Sequence, residues 1–317
     1  MDKSGELRNR SRGYQPYPQL NLELSLNLRL STSNVEPRTT FTLMDELATS
    51  FPMDKAALSL FAATSKARVL STGVTPLDLN GTVNLLLEMV RSKAQGYVCV
   101  ANVHTTTLAV RDQRFRSALD GAAAVVADGM PIVWRVRAAG YPQAGRVYGA
   151  DLVEATCAAG IDQGLRHGFF GGLKGVAEAM VCRLKERHPL LQIAGVWDAG
   201  LIKEGQKSPP DLLDTINKAR CDILWVGLGA PKQEIWMTQH RSHLRVPAIV
   251  GVGQAFDIIA GRTVRAPSWM GAHGLEWLYR LVHEPQRLWK RYLIYNSLFL
   301  WYLLLERLGY SWYRPKI

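Results

Sequence analysis

One acidic side chain follows a predicted buried strand, where an ionised group is unfavourable without a compensating interaction. The segment ADGMPIVW, residues 127–134, places Asp128 between a run of small apolar residues and a glycine. A buried carboxylate is unfavourable unless it caps a helix, meets a cation or takes part in chemistry. Asp128 could accept a proton as a general base, or it could cap a helix that begins near Met130. Both roles are open from these residues alone.

Other candidate residues follow the predicted strands, because open parallel sheets bind ligands at the carboxyl ends of their strands. These positions hold Asn102 and His104; Asp128 and Gly129; Gly171, Gly172 and Lys174; Asp198; Gly227, Gly229, Pro231, Lys232, Gln233 and Glu234; and Gly251, Gly253 and Asp257. Glycine-rich turns of this kind suit a nucleotide or a phosphate, although they also serve as plain strand-to-helix turns. Lys232 and Gln233 open a helix where their side chains could reach a polar ligand.

The sequence lacks the motifs of several common binding sites and catalytic mechanisms. The turns GLGAPK and GVGQAF have Lys and Phe where a dinucleotide fingerprint needs its third glycine, and no GxxxxGK[ST] occurs. The chain has no Asp-x-Asp for a divalent ion, no HxxxH pair and no GxSxG serine. The sequence therefore predicts neither a metal nor a cofactor. It favours acid/base work on a substrate whose phosphates are neutralised by Arg and Lys.

Short apolar strands that alternate with helical segments must position these residues. The predicted strands are GYVCVAN, AVVADG, HGFFGG, LQIAGVWD, CDILWVGLG and PAIVGVG, and the helices include HTTTLAVRDQRFRSALDGA, MPIVWRVRAAG and LKGVAEAMVCRLKERHP. This alternation is typical of a mostly parallel sheet with helices on both faces. The fold class is therefore α/β, with a Rossmann-like sheet.

The chain divides into three predicted regions. Residues 1–66 form a polar, poorly ordered extension, in which residues 20–30, LNLELSLNLRL, alternate like an edge or transient strand. Residues 67–265 form the Rossmann-like core. Residues 266–317 form a basic, aromatic, helical appendage. Its apolar run at 292–305 is too short to span a bilayer but suits a helix that lies in the headgroup zone; an ordinary buried helix is the alternative.

The charge distribution favours an anionic surface as a partner. The chain of 317 residues carries a formal net charge of +11, and the segment from Leu278 onward has seven Lys and Arg against two Glu. These cations are interleaved with Trp, Tyr and Leu, which indicates a membrane surface and not a nucleic acid. Four scattered cysteines and the absence of a secretory signal predict a cytoplasmic protein, peripheral on the inner face of the plasma membrane.

Eight segments together resemble the WecG/TagA/CpsF glycosyltransferases. They are ANVHTTTLAV, VVADGMPIVW, RVYGADLV, FFGG, LWVGLGAPKQEIWM, GVGQAFDIIAG, RAPSWM and GLEWLYRLVHEPQRLWKR, in this order from about Tyr97 to Arg291. The resemblance implies a metal-independent, inverting transfer of a hexose or an N-acetylhexosamine-type sugar from a UDP-sugar. The acceptor would be a saccharide on a polyprenyl diphosphate, in exopolysaccharide or surface-glycan synthesis. A non-catalytic, membrane-associated nucleotide-sugar scaffold or sensor is the alternative.

The resemblance also implies roles for single residues. Asp128 would be the general base, and Asn102, Arg146 and Gln233 would bind the donor. Thr105, Gly171 and Gly172 are further candidates for substrate binding, and Arg280, Arg287 and Lys290 would bind the diphosphates or the acceptor. Simpler roles compete with several of these: Asn102 could cap a helix, Arg146 could pair with Asp151, and the tail cations could form a solvated face.

Three positions depart from the family pattern. Val100 stands where many members have a threonine, so Thr105 is the nearest replacement for that hydroxyl. Lys290 replaces a frequent arginine and loses bidentate phosphate geometry. Gln254 is larger than usual, which would reshape the sugar pocket. Glucose, N-acetylmannosamine and its uronic acid all occur as donor sugars in the family, and the ANVH segment favours a neutral hexose.

Overall fold

The computed structural model describes residues 65–200 and 202–310. The strands are β1 (Ala67–Val69), β2 (Thr72–Val74), β3 (Gly96–Ala101), β4 (Ala124–Ala127), β5 (Arg166–Gly171), β6 (Gln192–Trp197), β7 (Ile223–Gly227) and β8 (Ala248–Gly251). The core helices are α1 (Leu79–Arg91), α2 (Val103–Arg111), α3 (Gln113–Asp120), α4 (Met130–Ala138), α5 (Gly149–Gly160), α6 (Val176–Arg187), α7 (Pro210–Ala219), α8 (Lys232–His240) and α9 (Ala255–Ile259). The tail holds α10 (Ser268–Ala272), α11 (Glu276–His283) and α12 (Pro285–Arg307). The predicted strand at residues 20–30 lies outside this described part.

Six strands form one sheet in the order β4-β3-β8-β7-β5-β6, and every neighbouring pair in it is parallel. The predicted α/β class with a Rossmann-like sheet is therefore confirmed. Strands β1 and β2 form a separate antiparallel pair. Because all six strands run the same way, the residues that follow them gather along a single edge.

Both faces of the sheet are covered. Along β3, Val98 and Val100 point into one buried cluster, whereas Tyr97, Cys99 and Ala101 point into another. Helices α1, α5, α6 and α9 fill the first cluster, and α2, α3, α7 and α8 fill the second. Successive residues of a strand face opposite sides, so near-continuous apolar strands follow from burial on both faces.

The segment after Asn102 contains two helices where the sequence predicts one. Asp112 has an extended backbone, and its side chain accepts a hydrogen bond from the backbone nitrogen of Phe115 at 3.0 Å. Asp112 thus ends α2 and caps α3, which is a favoured role for aspartate. The single predicted helix over residues 104–122 is wrong at this point.

The tail packs on the core through its last helix. Phe299 and Tyr302 of α12 are buried in a cluster with Val69, Ile132 and Val136, which come from β1 and α4. The helices α11 and α12 meet at Glu284, and Pro285 is the first residue of α12. In the described part of the chain, no helix is both long enough and apolar enough to cross a membrane.

Candidate active site

A cavity of about 370 Å³ lies at the carboxyl ends of the strands. We call it the strand-end cavity. Its wall includes Asn102 after β3, Asp128 after β4, Gly172 after β5, Gly229 and Gln233 after β7, and Gly253 and Gln254 after β8. Residues from five strand ends therefore meet in one place, as the parallel topology requires.

Asp128 is positioned by backbone hydrogen bonds on both sides of β4. Its own nitrogen donates to the backbone oxygen of Ala101 at 2.8 Å, which continues the pairing of β4 with β3 beyond the strand end. The nitrogen of Val147 donates to the oxygen of Ala127 at 2.7 Å. This second bond draws the segment before α5 alongside β4, so that Arg146 reaches Asp128.

Arg146 joins Asp128 to the tail. Its Nε donates to the backbone oxygen of Asp128 at 2.6 Å, and its Nη2 lies 3.3 Å from Oδ1 of Asp128. The same Nη2 donates to Oε2 of Glu276, the first residue of α11, at 2.5 Å. One guanidinium therefore serves two carboxylates from distant parts of the chain.

The surroundings set the charge balance of this group. Burial raises the pKa of Asp128 above its ordinary value; Arg146 and Arg280 act to lower that pKa, whereas Glu276 acts to raise it further. Burial acts to lower the pKa of Arg146, but the two carboxylates outweigh it, and the pKa lies above its usual value. Asp128 thus has a higher proton affinity than a solvated aspartate and faces a cation that stays charged.

A second cavity, of about 560 Å³, lies between the core and the tail. We call it the apolar cavity, because much of its wall consists of Val103, Met130, Pro131, Trp134, Trp277, Phe299, Leu300 and Leu303. Four residues line both cavities: Asn102, Asp128, Arg280 and Arg291. Asp128 therefore stands at the junction of a glycine-lined space and an apolar one.

Asp128 does not cap the following helix. The N-cap residue of α4 is Gly129, and no side chain there bonds to the helix backbone. The capping role that the sequence left open for Asp128 is therefore not the one it has. By contrast, Asn102 does cap α2: its Oδ1 accepts from the backbone nitrogen of Thr105 at 3.3 Å.

Thr105 completes this capping arrangement. Its hydroxyl accepts from the backbone nitrogen of Asn102 at 2.8 Å and donates to the backbone oxygen of Asn102 at 2.9 Å. Both residues line the strand-end cavity, but the Asn102 oxygen and the Thr105 hydroxyl are engaged in the helix cap. The side-chain nitrogen of Asn102, Nδ2, is the group of this pair that remains for a ligand, since it forms no hydrogen bond with a described residue.

Gln233 lines the strand-end cavity and is almost fully buried. Its Oε1 accepts from the backbone nitrogen of Gly229 at 3.2 Å, and its Nε2 donates to Oε1 of Glu234 at 2.9 Å. Glu234 is fully buried, and burial raises its pKa to about 7. Gln233 therefore fixes the glycine turn after β7, and its contact with a sugar stays a prediction.

The two glycines after β5 differ in what they do. Gly172, at φ +79°, lines the strand-end cavity, and its nitrogen donates to the oxygen of Gly227 at 3.0 Å. Gly171, at φ +123°, is not part of the cavity wall; a Cβ there would lie 2.8 Å from backbone atoms of Gly227. Gly171 is needed for the close approach of β5 and β7.

The three cations predicted to bind the diphosphates, Arg280, Arg287 and Lys290, also differ in their positions. Arg280 lines both cavities and donates to Oε1 of Gln254, the enlarged residue after β8. Lys290 lies outside both cavities, exposed, with its ammonium 5.5 Å from the ring centre of Trp289. Arg287 falls within α12, and its side chain lies outside the described part of the structure.

Three residues of the site escaped the sequence analysis. Arg291 lines both cavities, and its position four residues after Arg287 was a signal that could have indicated it. Glu276 gave no signal, because its partner Arg146 is 130 residues away. Tyr148 lies under Arg146, whose guanidinium carbon is 4.5 Å from the ring centre.

Asp151 does not pair with Arg146, which was the simpler role that the sequence allowed. It binds Arg265 instead, through two contacts of 2.6 and 2.7 Å. Arg265 also lies over Tyr148, 4.7 Å from the ring centre. The ring of Tyr148 thus contacts two arginines, and both arginines also pair with carboxylates.

The fold and the site define a parallel α/β protein whose carboxylate lies where a strand-end cavity meets a second, apolar one. More specifically, the chain belongs to the glycosyl transferase WecG/TagA/CpsF family, whose model matches residues 67–312. The resemblance found in the sequence is therefore confirmed. Among the residues with described positions, no group of three or more His, Cys, Asp and Glu is arranged to hold a metal ion.

Two relatives carry names that describe their reaction. The N-acetylglucosaminyldiphosphoundecaprenol N-acetyl-beta-D-mannosaminyltransferase of Bacillus spizizenii is 30% identical over 197 residues, which cover 62% of this chain and 74% of the relative. The protein of the same name from Bacillus subtilis is 29% identical over 202 residues, or 63% of this chain and 76% of the relative.

Proposed function

We propose that this chain transfers a sugar from a UDP-sugar to a saccharide carried on a polyprenyl diphosphate, by a metal-independent, inverting displacement. The observation that carries the proposal is the position of Asp128, which lines both the strand-end cavity and the apolar cavity. A base at that junction can take a proton from an acceptor in one cavity while the acceptor attacks a donor in the other.

The strand-end cavity suits the donor. Its volume of about 370 Å³ falls in the range of small-molecule sites. Gly172, Gly229 and Gly253 all have positive φ there, so the backbone can approach a ligand without an intervening side chain. Backbone groups at strand ends are the usual partners of nucleotide phosphates in parallel sheets.

The apolar cavity suits a lipid-linked acceptor. Met130, Trp134 and Leu303 offer aliphatic and aromatic surface, whereas Arg280 and Arg291 stand where this cavity meets the donor side. A polyprenyl diphosphate saccharide has the same sequence of parts: an apolar chain, two phosphates and a sugar. Both relatives are named for an acceptor of this kind.

The chemistry follows from one base and fixed cations. Asp128 accepts the proton of an acceptor hydroxyl as that oxygen forms a bond to the anomeric carbon of the donor. The bond from the anomeric carbon to the phosphate oxygen breaks, and UDP leaves with the electron pair. A single direct displacement inverts the anomeric centre. Arg280 and Arg291 offset the negative charge that develops on the leaving diphosphate, a task that arginine can perform without a metal.

A transfer assay tests this proposal. The full-length protein is incubated with a short-chain polyprenyl-diphosphate N-acetylglucosamine and, in turn, UDP-glucose and UDP-N-acetylmannosamine. We expect UDP release that depends on the acceptor, and a product whose anomeric configuration, determined by NMR, is opposite to that of the donor. Retention of configuration would refute the mechanism. UDP binding without turnover on any such acceptor would favour the sensor or scaffold instead.

We also propose that the tail binds the inner surface of the plasma membrane. Helix α12 exposes Leu293, Trp301 and Leu304, which lie outside the apolar cavity. Cations of the tail flank this surface, and anionic lipid contributes about 1 kcal/mol for each basic residue near it. The apolar cavity lies beneath the same helix, so membrane binding would bring the acceptor to its opening.

Surface variants test membrane binding more cleanly than deletion of residues 292–317, because the deletion also removes the buried residues Phe299 and Tyr302. The double variant Leu293→Glu/Leu304→Glu changes exposed side chains that line neither cavity. We expect it to lose flotation with anionic vesicles of phosphatidylglycerol. The control is Leu190→Glu, which places a charge on a still more exposed leucine between α6 and β6, outside the tail, and should float like the wild type. Flotation of the double variant with these vesicles would refute the idea.

A further inference from the structure

Arg146 is shared between two carboxylates that belong to different parts of the chain. Its Nε is anchored on the backbone oxygen of Asp128, so the guanidinium is held at β4 whether or not a carboxylate is present. Its Nη2 then lies 3.3 Å from the Asp128 carboxylate and 2.5 Å from the Glu276 carboxylate. The tail therefore supplies the nearer partner of the nitrogen that both carboxylates share.

Helix α11 brings two charged side chains to the site, and its Trp277 lies in the wall of the apolar cavity. None of its residues is fully buried. Two of its side chains, one turn apart, make polar contacts with the core: Glu276 binds Arg146, and Arg280 donates to Gln254. Because both side chains come from the tail, their charges act on Asp128 only when α11 is docked.

We propose that Glu276 is a positioning residue that, by binding Arg146, keeps this guanidinium from being committed to Asp128 alone and so preserves Asp128 as a base. The inference rests on the proposed function, since it takes Asp128 as the general base. Without Glu276, Arg146 would face Asp128 alone, and the carboxylate would be better stabilised and less basic. Docking of α11 thereby sets the basicity of a core residue.

The charges around Asp128 agree with this assignment. Arg146 faces it from the segment before α5, and Glu276 and Arg280 face it from α11. Tyr148, the residue before α5, and Tyr292 of α12 also interact with Asp128, but burial raises the pKa of both tyrosines, so they stay neutral. Burial is the largest influence that raises the pKa of Asp128, and Glu276 raises it further against the two arginines. Removal of the Glu276 charge therefore moves the pKa of Asp128 downward.

A second ion pair between the tail and the core provides a matched control. Glu306 of α12 lies 3.3 Å from Arg135 of α4. Glu306→Gln removes a tail carboxylate that binds a core arginine, as Glu276→Gln does, but Glu306 is not among the groups that shift the pKa of Asp128. The two variants have the same net charge, so a difference between them reports on Glu276 itself.

The experiment is a ¹³C NMR titration of the Asp128 carboxyl in the full-length protein, assigned by the loss of its signal in Asp128→Asn. We expect the titration midpoint to move to lower pH by about one unit in Glu276→Gln. Glu276→Asp, which keeps the charge but draws it back, should show a smaller shift in the same direction. Glu306→Gln should titrate like the wild type.

Kinetics supply the second measurement. In Glu276→Gln, we expect kcat to fall and the acidic limb of its pH profile to move to lower pH, with the KM for the UDP-sugar unchanged. An unmoved NMR midpoint in Glu276→Gln would overturn the inference; if that variant does not fold, an unmoved midpoint in Glu276→Asp would do so. The NMR shift without transfer by any form of the protein would support the positioning role and refute the proposed function.

Discussion

Replacement of Asp128 by asparagine should separate chemistry from folding at this site. The amide has nearly the same shape as the carboxylate. The backbone oxygen of residue 128 would still accept from Arg146, which keeps its bond to Glu276. No helix cap is lost, because the cap position of α4 belongs to Gly129. Only the 3.3 Å contact between Asp128 and Arg146 changes its charge character.

In Asp128→Asn, the expected loss of turnover is much larger than the expected loss of stability. Loss of a general base lowers a rate by about 10²- to 10⁴-fold, which corresponds to about 3–5 kcal/mol in the barrier. The Asp128 side chain is 23% exposed, and a partly solvated ion pair contributes about 0–1 kcal/mol to stability. Burial also opposes the charged form of Asp128, so its removal partly offsets that loss. We therefore expect Tm to change by no more than about 2–4 °C.

The assay is acceptor-dependent UDP release, with UDP affinity and thermal unfolding measured on the same preparation. The matched control is Asp151→Asn, which removes an aspartate from an arginine pair beside Tyr148 but lies outside both cavities. The control should keep near-normal turnover. Turnover of Asp128→Asn within about tenfold of the wild type would refute the role of Asp128 as the base.

Three further outcomes are expected. Transfer should continue in EDTA, since arginines supply the positive charge; strict dependence on added Mg²⁺ or Mn²⁺ would contradict this. Gly171→Ala should lower the free energy of unfolding in urea by about 1–3 kcal/mol or more, and by more than Gly140→Ala, whose Cβ would meet open space. Between pH 4.5 and about 7, the wild type should lose on the order of 3 kcal/mol of stability that Glu234→Gln does not lose. The reason is that the folded state keeps the Glu234 proton in this range, whereas the unfolded state releases it. Parallel curves of stability against pH for the two proteins would contradict this.

The sequence predicted the fold class well because the strands are short, apolar and buried on both faces. Such strands differ from the amphipathic helices between them by their residue types alone. The order of the strands did not follow from the sequence, because β8 pairs with β3, which lies about 150 residues before it. The break at Asp112 was missed although aspartate is a favoured cap, because the apolar pattern continued through it.

The site was predictable where it lies next to a strand end. Asp128, Asn102 and Gln233 all follow strands and line the strand-end cavity. The sequence could not show which of these residues caps a helix. Asn102 and Asp128 both stand between a strand and a helix, but only Asn102 caps the helix that follows it. Glu276 could not be predicted, because its importance comes from a tertiary contact and not from a local pattern.

The place of β8 in the sheet has a consequence for synthesis of the chain. Strands β3 and β4 form one half of the sheet, and β7, β5 and β6 form the other; among the described strands, only β8 bonds to both halves. β8 is also the last of the described strands to leave the ribosome. A nascent chain therefore holds two unjoined half-sheets until Ala248–Gly251 has emerged. The strand-end cavity takes its wall from both halves, so it is complete only after β8 has been made, and the described tail segment that bears Glu276 is made after that strand.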